Sequence, residues 1–248
     1  MDWHESAIVI NVAPFNDSSS VATVLTAAQG RHRGLVYGIH SPEQRGVWQL
    51  GNRIKAEWRG RLAEQLGVFS AEILSPTGLA FLDDSLRLAT IAAACELSAT
   101  SLPDQLSQPA IYAGFESLLQ LMAGDYYLFA FVQWEVELLA ALGFGLDLSA
   151  CAVSGEGRDL AFVSPRSGRA VGTVAAAPYR ERLLPLPAFL LPREAAADPQ
   201  EPADIYAALA GLKLSGYFLQ HRVYGAHHQD LPMARQILQS RVARLCGD

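Results

Sequence analysis

The chain has 248 residues, half of them hydrophobic and 18% charged, with a net charge of −6 at neutral pH. That balance excludes wholesale disorder and supplies enough apolar mass for one large domain or two small ones. An acidic total also excludes indiscriminate coating of nucleic acid, so any polyanion binding must be local and salt-sensitive.

Residues 6 to 81 carry β signals. Ala7 to Val12 is apolar and β-branched, and a polar turn follows at Asn16 to Ser20. Val21 to Thr26 is a second run, ended by Gln29-Gly30, and Gly34 to His40 is a third, ended by Ser41-Pro42. Gly46 to Leu50 is a fourth short run, closed by Gly51-Asn52. From Asn52 to Leu62 the pattern alternates: Ile54, Ala56 and Trp58 share one face, while Arg53, Lys55, Glu57 and Arg59 share the other. A period of two marks a half-buried strand. About five short strands separated by turns predict a small closed barrel of the oligonucleotide-binding (OB) type over residues 1–82. An SH3-like barrel stays open on the same signals.

The same region holds a cationic island. Between Arg31 and Arg61 lie Arg31, Arg33, Arg45, Arg53, Lys55, Arg59 and Arg61, against only Glu43 and Glu57. Seven cations and two acids give +5, so the rest of a −6 chain carries −11. Tyr37, His40, Trp48 and Trp58 are interleaved with the cations. Clustered cations with aromatics suit single strands, whose phosphates meet the charges while bases stack on rings. Two readings are open: a polyanion-binding face, or a solvated strand face whose aromatics point into a core. Trp48 or Trp58 would supply the stacking ring in the first, and core packing is the competing reading for Trp58 because it alternates with the apolar face.

From Asp83 the texture turns Ala- and Leu-rich, which predicts an all-α second domain over residues 83–248 with a hairpin insert near 150–172. Ser85 to Leu97 is one helix, with Asp83 or Asp84 as its cap. Ser101 to Asp104 is a linker. Pro109 starts a helix through Ile111 to Met122, and Asp125 caps another over Tyr126 to Leu142, closed by Gly143. Gly155, Gly157, Pro165 and Gly168 punctuate a short strand, Leu160 to Val163, and Arg158, Arg166 and Arg169 add a smaller cationic spot. Residues 178 to 204 are a Pro-rich loop, and Ile205 to Tyr224 and Leu231 to Leu245 are closing helices.

Little in the chain points to covalent chemistry. Cys95, Cys151 and Cys246 are far apart and odd in number, so they make no disulfide framework. Cys151-Ala-Val-Ser154 has knuckle spacing with serine at its second position, and one cysteine cannot hold structural zinc. His221, His227 and His228 lack further placed ligands, and Asp83-Asp84 fits a helix start better than a carboxylate pair. No G-x-S-x-G elbow, P-loop or strand-linked G-x-G-x-x-G occurs. The expectation is a protein that is not an enzyme, with no catalytic residues, metal or cofactor. The most apolar stretch, Tyr126 to Phe144, is broken by Gln133, Glu135 and Glu137, and the first residues lack a basic segment leading into a long apolar one. A reduced, cytoplasmic protein is expected.

Several segments together resemble the RecO family of bacterial recombination mediators, in its α-proteobacterial form. They are Gly30 to Gly38, Gln49 to Asn52, Trp58 to Leu62, Glu137 to Gly155, Phe162 to Val171, Gly211 to Leu219 and Leu231 to Arg235. The resemblance spans nearly the whole chain, and the middle segments are its most specific part. It implies an OB barrel followed by a helical domain, in a nucleoid-associated protein. It implies binding of single- and double-stranded DNA, annealing of complementary strands, and help in loading RecA onto strands coated by single-stranded-DNA-binding protein. RecR and the acidic tail of that coating protein are the implied partners. Many members carry a four-cysteine zinc knuckle, of which this chain keeps only Cys151, so a metal-free hairpin is expected.

Joined to the charge pattern, the resemblance nominates Arg31, Arg33, Arg45, Arg53, Lys55, Arg59, Arg61, Trp48, Arg166 and Arg169 as DNA-binding residues. Two alternatives stay open: a hydrolase or transferase on the helical domain, which would require a clustered His/Asp/Ser site, and an adaptor with little DNA affinity of its own. The adaptor would grip the acidic tail with a cation beside an apolar groove, such as Arg87, Arg222 or Arg235.

Overall fold

In the computed structural model, which describes residues 1–39, 41–61, 66–198 and 204–247, the N-terminal strands close into a barrel. These are β1 (Asp2–Asn16), β2 (Ser19–Thr26), β3 (Gly30–Tyr37), β4 (Arg53–Arg59) and β5 (Gly67–Ser75). Around the barrel they run β1-β2-β3-β5-β4. Every pairing is antiparallel except β3 with β5, which is parallel at Gly34–Gly67 and Leu35–Val68. A five-stranded barrel of this order is the OB fold. The length of β1 lets it serve two neighbours, its first half pairing with β4 and its second with β2. Register shifts between Val9 and Asn11 and between Pro14 and Asn16 bend it round the barrel.

The predicted alternation holds where it was clearest. Along β4, Ile54, Ala56 and Trp58 are buried, while Lys55 and Arg59 are exposed. Trp58 fills the barrel with Val9, Val24, Val36 and Phe69. Its indole needs three glycines around it: a Cβ on Gly60, Gly67 or Gly34 would lie 2.4, 2.5 or 3.1 Å from the ring. His32 is buried beside it, with ring centres 4.8 Å from Trp58 and 5.2 Å from Trp3. Neither His32 nitrogen has a hydrogen-bond partner among the described residues.

Two elements differ from expectation. Gly46 to Leu50 is not a strand. Ser41 caps a short helix, α1 (Pro42–Arg45), accepting from Gln44 N, with Pro42 in the first turn. That is a helix-start signal, and it outweighs the apolar Val-Trp pair that follows. The fifth strand is instead β5, whose second half, Ala71 to Ser75, has no buried face to alternate with. Leu62 and His40, at the ends of two predicted strands, lie outside the described residues.

Backbone packing gathers Met1–Gly124 and Pro232–Leu238 into one unit. The strands give way to helices near the boundary expected at 82/83, but α2 (Ser85–Ser101) and α3 (Pro109–Leu121) pack on β1 and β2 and join the barrel's unit. Asp84 caps α2, its Oδ1 accepting from Leu86 N and Arg87 N at 3.1 and 3.0 Å. Cys95 is buried on α2 and its thiol is pushed up to about 12 by burial. The chain between α2 and α3 lies along the β2–β3 hairpin. Gln105 N donates to Arg31 O at 2.8 Å and Ser107 Oγ to Ala27 O at 3.0 Å. Gly30 permits this approach: its φ is +61°, and a Cβ there would sit 1.9 Å from Leu106 O. Arg53 on β4 forms an ion pair with Glu116 on α3.

The second unit comprises Asp125–Leu231 and the residues from Gln239 on. In it α4 (Tyr127–Ala141) packs on α6 (Ile205–Phe218), and the buried Glu135 accepts from Ser215 Oγ at 2.6 Å. Asp125 does not cap α4, because Tyr126 occupies the cap position with no side-chain bond. Gly143 ends the helix with a φ of +87°. The insert is a small sheet: β6 (Leu160–Val163), as predicted, pairs with β7 (Ala170–Gly172) and with an unpredicted β8 (Leu184–Pro185). A short α5 (Thr173–Ala176) follows β7, and α7 (Met233–Leu245) is the last helix.

Two outcomes follow. Arg53→Ala and Glu116→Ala should each lower stability by about 1–3 kcal/mol, because each leaves a half-buried charge unpaired. The double variant should cost less than the sum in urea titrations. For His32, burial lowers the pKa from the ordinary 6.5, with Asp104 opposing. The unfolded chain therefore takes the proton first, and stability is lost as pH falls below 6.5. His32→Phe should flatten urea midpoints measured from about pH 7.5 down to about pH 5.

Candidate nucleic-acid interface

Folding divides the cationic island. Arg31 and Arg33 point outward from β3, and both meet Asp104. Arg31 Nε lies 2.9 Å from Asp104 Oδ1, and Arg33 Nη2 lies 2.9 Å from Oδ2. Arg31 is mostly buried and also donates to Ala99 O. Arg33 is 58% exposed, so its ion pair contributes at most about 1 kcal/mol and a phosphate can compete for it. Two guanidiniums on one carboxylate leave a local charge of +1. Asp104 is the residue that sequence reasoning missed. It stands in the linker after α2, more than 70 positions from its partners, and backbone pairing of the linker with Arg31 is what delivers it.

The β4 face is nearly neutral. Arg53 is taken up by Glu116, and Arg59, although exposed, pairs with Glu57 at 2.6 Å. Arg59 holds the Glu57 carboxyl below its ordinary pKa. Lys55 stands opposite Glu72 on β5. An open groove of about 440 Å³ on this face is lined by His4, Lys55, Glu57, Ser70 and Glu72, so two acids outweigh its one lysine.

Arg45, at the end of α1, and Arg61, just after β4, are exposed and have no ion pair among the described residues. Trp48 cannot stack on a base. It is only 4% exposed, its ring packs on Phe69, and its indole N–H donates to Gln44 Oε1 at 2.8 Å. Trp58 is buried as well.

OB barrels bind their ligands across strands 2 and 3 with the 1–2 and 4–5 connections. Here α3 packs on β2, and every β2 residue except Val21 is buried. What stays open is the outer row of β3, where Arg33 and Tyr37 are exposed, with Arg61 in the β4–β5 connection.

In the second unit, Arg166 is exposed and its carbonyl accepts from Arg222, while Arg169 Nε pairs with Asp147 at 3.1 Å. Arg222 lies beside a pocket of about 150 Å³ lined by Phe144, Leu146, Ser167 and Phe218. In the first unit, Arg87 is tied to Asp84 and donates to Met122 O and Gly124 O, and Arg235 is buried. His221 stacks on Tyr217 at 4.0 Å. Burial raises the Cys151 thiol pKa, but N–H groups of Gly172 and Ser154, 3.3 and 3.5 Å from Sγ, help pull it down to about 7. Ser154, where a second knuckle ligand would stand, is therefore a hydrogen-bond donor to the first.

The chain matches two family models, Recombination protein O N terminal over residues 1–77 and Recombination protein O C terminal over residues 82–231. It is similar to proteins named DNA repair protein RecO. That of Acidiphilium cryptum is 45% identical over all of this chain and 98% of that one. That of Rhodospirillum rubrum is 44% identical over 98% and 97%, and that of Granulibacter bethesdensis 42% over 99% and 97%. An OB barrel with an outward arginine row, two family matches and identities above 40% along the whole length lead to one assignment: the chain belongs to the recombination protein O family of DNA repair proteins.

Proposed function

We propose that this chain is a non-catalytic mediator of recombinational repair. It binds single- and double-stranded DNA and anneals complementary strands. With RecR, it helps load RecA onto strands coated by single-stranded-DNA-binding protein. The observation that carries the reading is an exposed Arg33 on the open row of an OB barrel, with Arg61 exposed and in no ion pair among the described residues in the β4–β5 connection. Annealing needs no bond made or broken. It needs two strands whose phosphate charge is partly neutralised and whose bases stay accessible. Arg33, Arg45 and Arg61 are the cations best placed for this. Lys55 and Arg59 contribute less because acids compensate them, and Arg31 and Arg53 act mainly to shape the barrel.

A second reading has its own support. Arg31, Arg33, Arg53, Arg59 and Arg169 each meet a carboxylate, so the local field is weaker than the sequence charge suggests. An adaptor that acts chiefly through RecR and the coating protein's acidic tail fits that weakness. Of the three cations nominated for the tail, Arg222 lines a small, largely polar pocket whose walls include Phe144, Leu146 and Phe218.

Titration of single-strand affinity against salt separates the two. Under the mediator reading, Arg33→Ala and Arg61→Ala should each weaken binding and flatten the log–log salt slope by about 0.7 to 1. Arg53→Ala should leave the slope alone. No measurable affinity in the wild-type protein at low salt would favour the adaptor.

A further inference from the structure

We propose that Phe15 and Tyr37 form a stacking platform for unpaired bases. The inference rests on the DNA-binding reading above and deepens it. Both rings are turned to solvent at the same end of the barrel: Phe15 is 59% exposed and Tyr37 58%. Ser19 of β2 pairs with Tyr37 on one side and with Asn16, next to Phe15, on the other. The two aromatic strands are thus one strand apart, about 10 Å, with β2 between them. Neither ring packs on another aromatic ring, and the Tyr37 hydroxyl has no hydrogen bond, among the described residues.

Phe15 is presented by the backbone. It is the extra residue between the Pro14–Ser20 and Asn16–Ser19 pairs, and a bulge re-aims the side chain it inserts. The tip that carries it is braced. Asn16 Oδ1 accepts from Ser18 N, Ser19 N and Ser19 Oγ at 3.0, 2.9 and 2.8 Å. Gly38 N donates to Ser18 O at 3.3 Å, which ties the end of β3 to the same tip. Large apolar rings held open on a stiff support are ready to bind without further ordering.

Charge chooses the occupant. Tyr37 shares the outward row of β3 with Arg33, four residues away and therefore about 13 Å along the strand. That distance spans about two nucleotides of an extended strand. Arg45 follows on the helix after β3, and it is exposed. Flat π faces on the same strand row as an exposed arginine, with Asp17 of the β1–β2 turn as the opposing charge, match a polyanion that carries its own flat rings, a single strand with unpaired bases.

The experiment compares the full chain's binding to an oligothymidylate of about 20 nucleotides and to an abasic strand of the same length and charge. Wild type should prefer the oligothymidylate. Phe15→Ala and Tyr37→Ala should each lose about 5- to 100-fold on it, lose nothing on the abasic strand, and keep the salt slope. Tyr37→Phe should retain affinity, and melting curves should show all variants folded. Equal wild-type affinity for both strands would overturn the platform while leaving phosphate binding intact. Folded alanine variants that bind both strands like wild type would overturn it too. A wild type that binds neither strand would remove the DNA-binding reading itself, and the platform with it.

Discussion

One acid held by two arginines sets the character of the barrel's outer surface. Asp104 neutralises half of the charge that Arg31 and Arg33 bring to β3, and the backbone beside it pairs with that strand. The arrangement depends on Gly30, whose missing Cβ lets the α2–α3 chain lie against the hairpin. The same chain leads into α3, which covers β2 and leaves the β3 row as the open part of the usual OB ligand surface. Packing and charge are therefore set together. The segment that buries Arg31 is also the one that tempers Arg33.

This tempering bears on the annealing role proposed above. A face with every cation free would hold a strand tightly at low salt and release it poorly. An exposed, shared ion pair costs little to exchange for a phosphate, because in high dielectric it contributes so little. The half-buried Arg53–Glu116 pair is different. It sits between β4 and α3, and its exchange would leave a carboxylate poorly solvated. Among chemically identical side chains, burial and partner thus separate those open to an external anion from those that hold the fold.

Much of the fold was legible because it rests on local signals. Alternation from Arg53 to Trp58, the Asp84 cap, Pro109 at a helix start and the Leu160–Val163 strand each depend on neighbouring residues. Ser41-Pro42 reads as a strand stop, and the apolar Val47-Trp48 that follows reads as a strand, which hides the helix start that Ser41 caps. The site was less so. Counting charges from Arg31 to Arg61 cannot show that Glu116, Glu72 and Asp104 arrive from later in the chain. Nor can composition tell an indole facing bases from one packed on Phe69, as Trp48 is. The family resemblance supplied the function class, while only the register placed Phe15 and Tyr37 at one end of the barrel.

Asp104 limits the positive charge that β3 offers to a polyanion. The most direct measurement is the salt-dependent affinity of an Asp104→Asn variant for a single strand, since asparagine keeps the size and the backbone pairing but removes the charge. With the fold intact, binding should tighten at low salt and the salt slope should steepen by up to about one phosphate contact. A folded variant with unchanged or weaker affinity and the wild-type slope would contradict it.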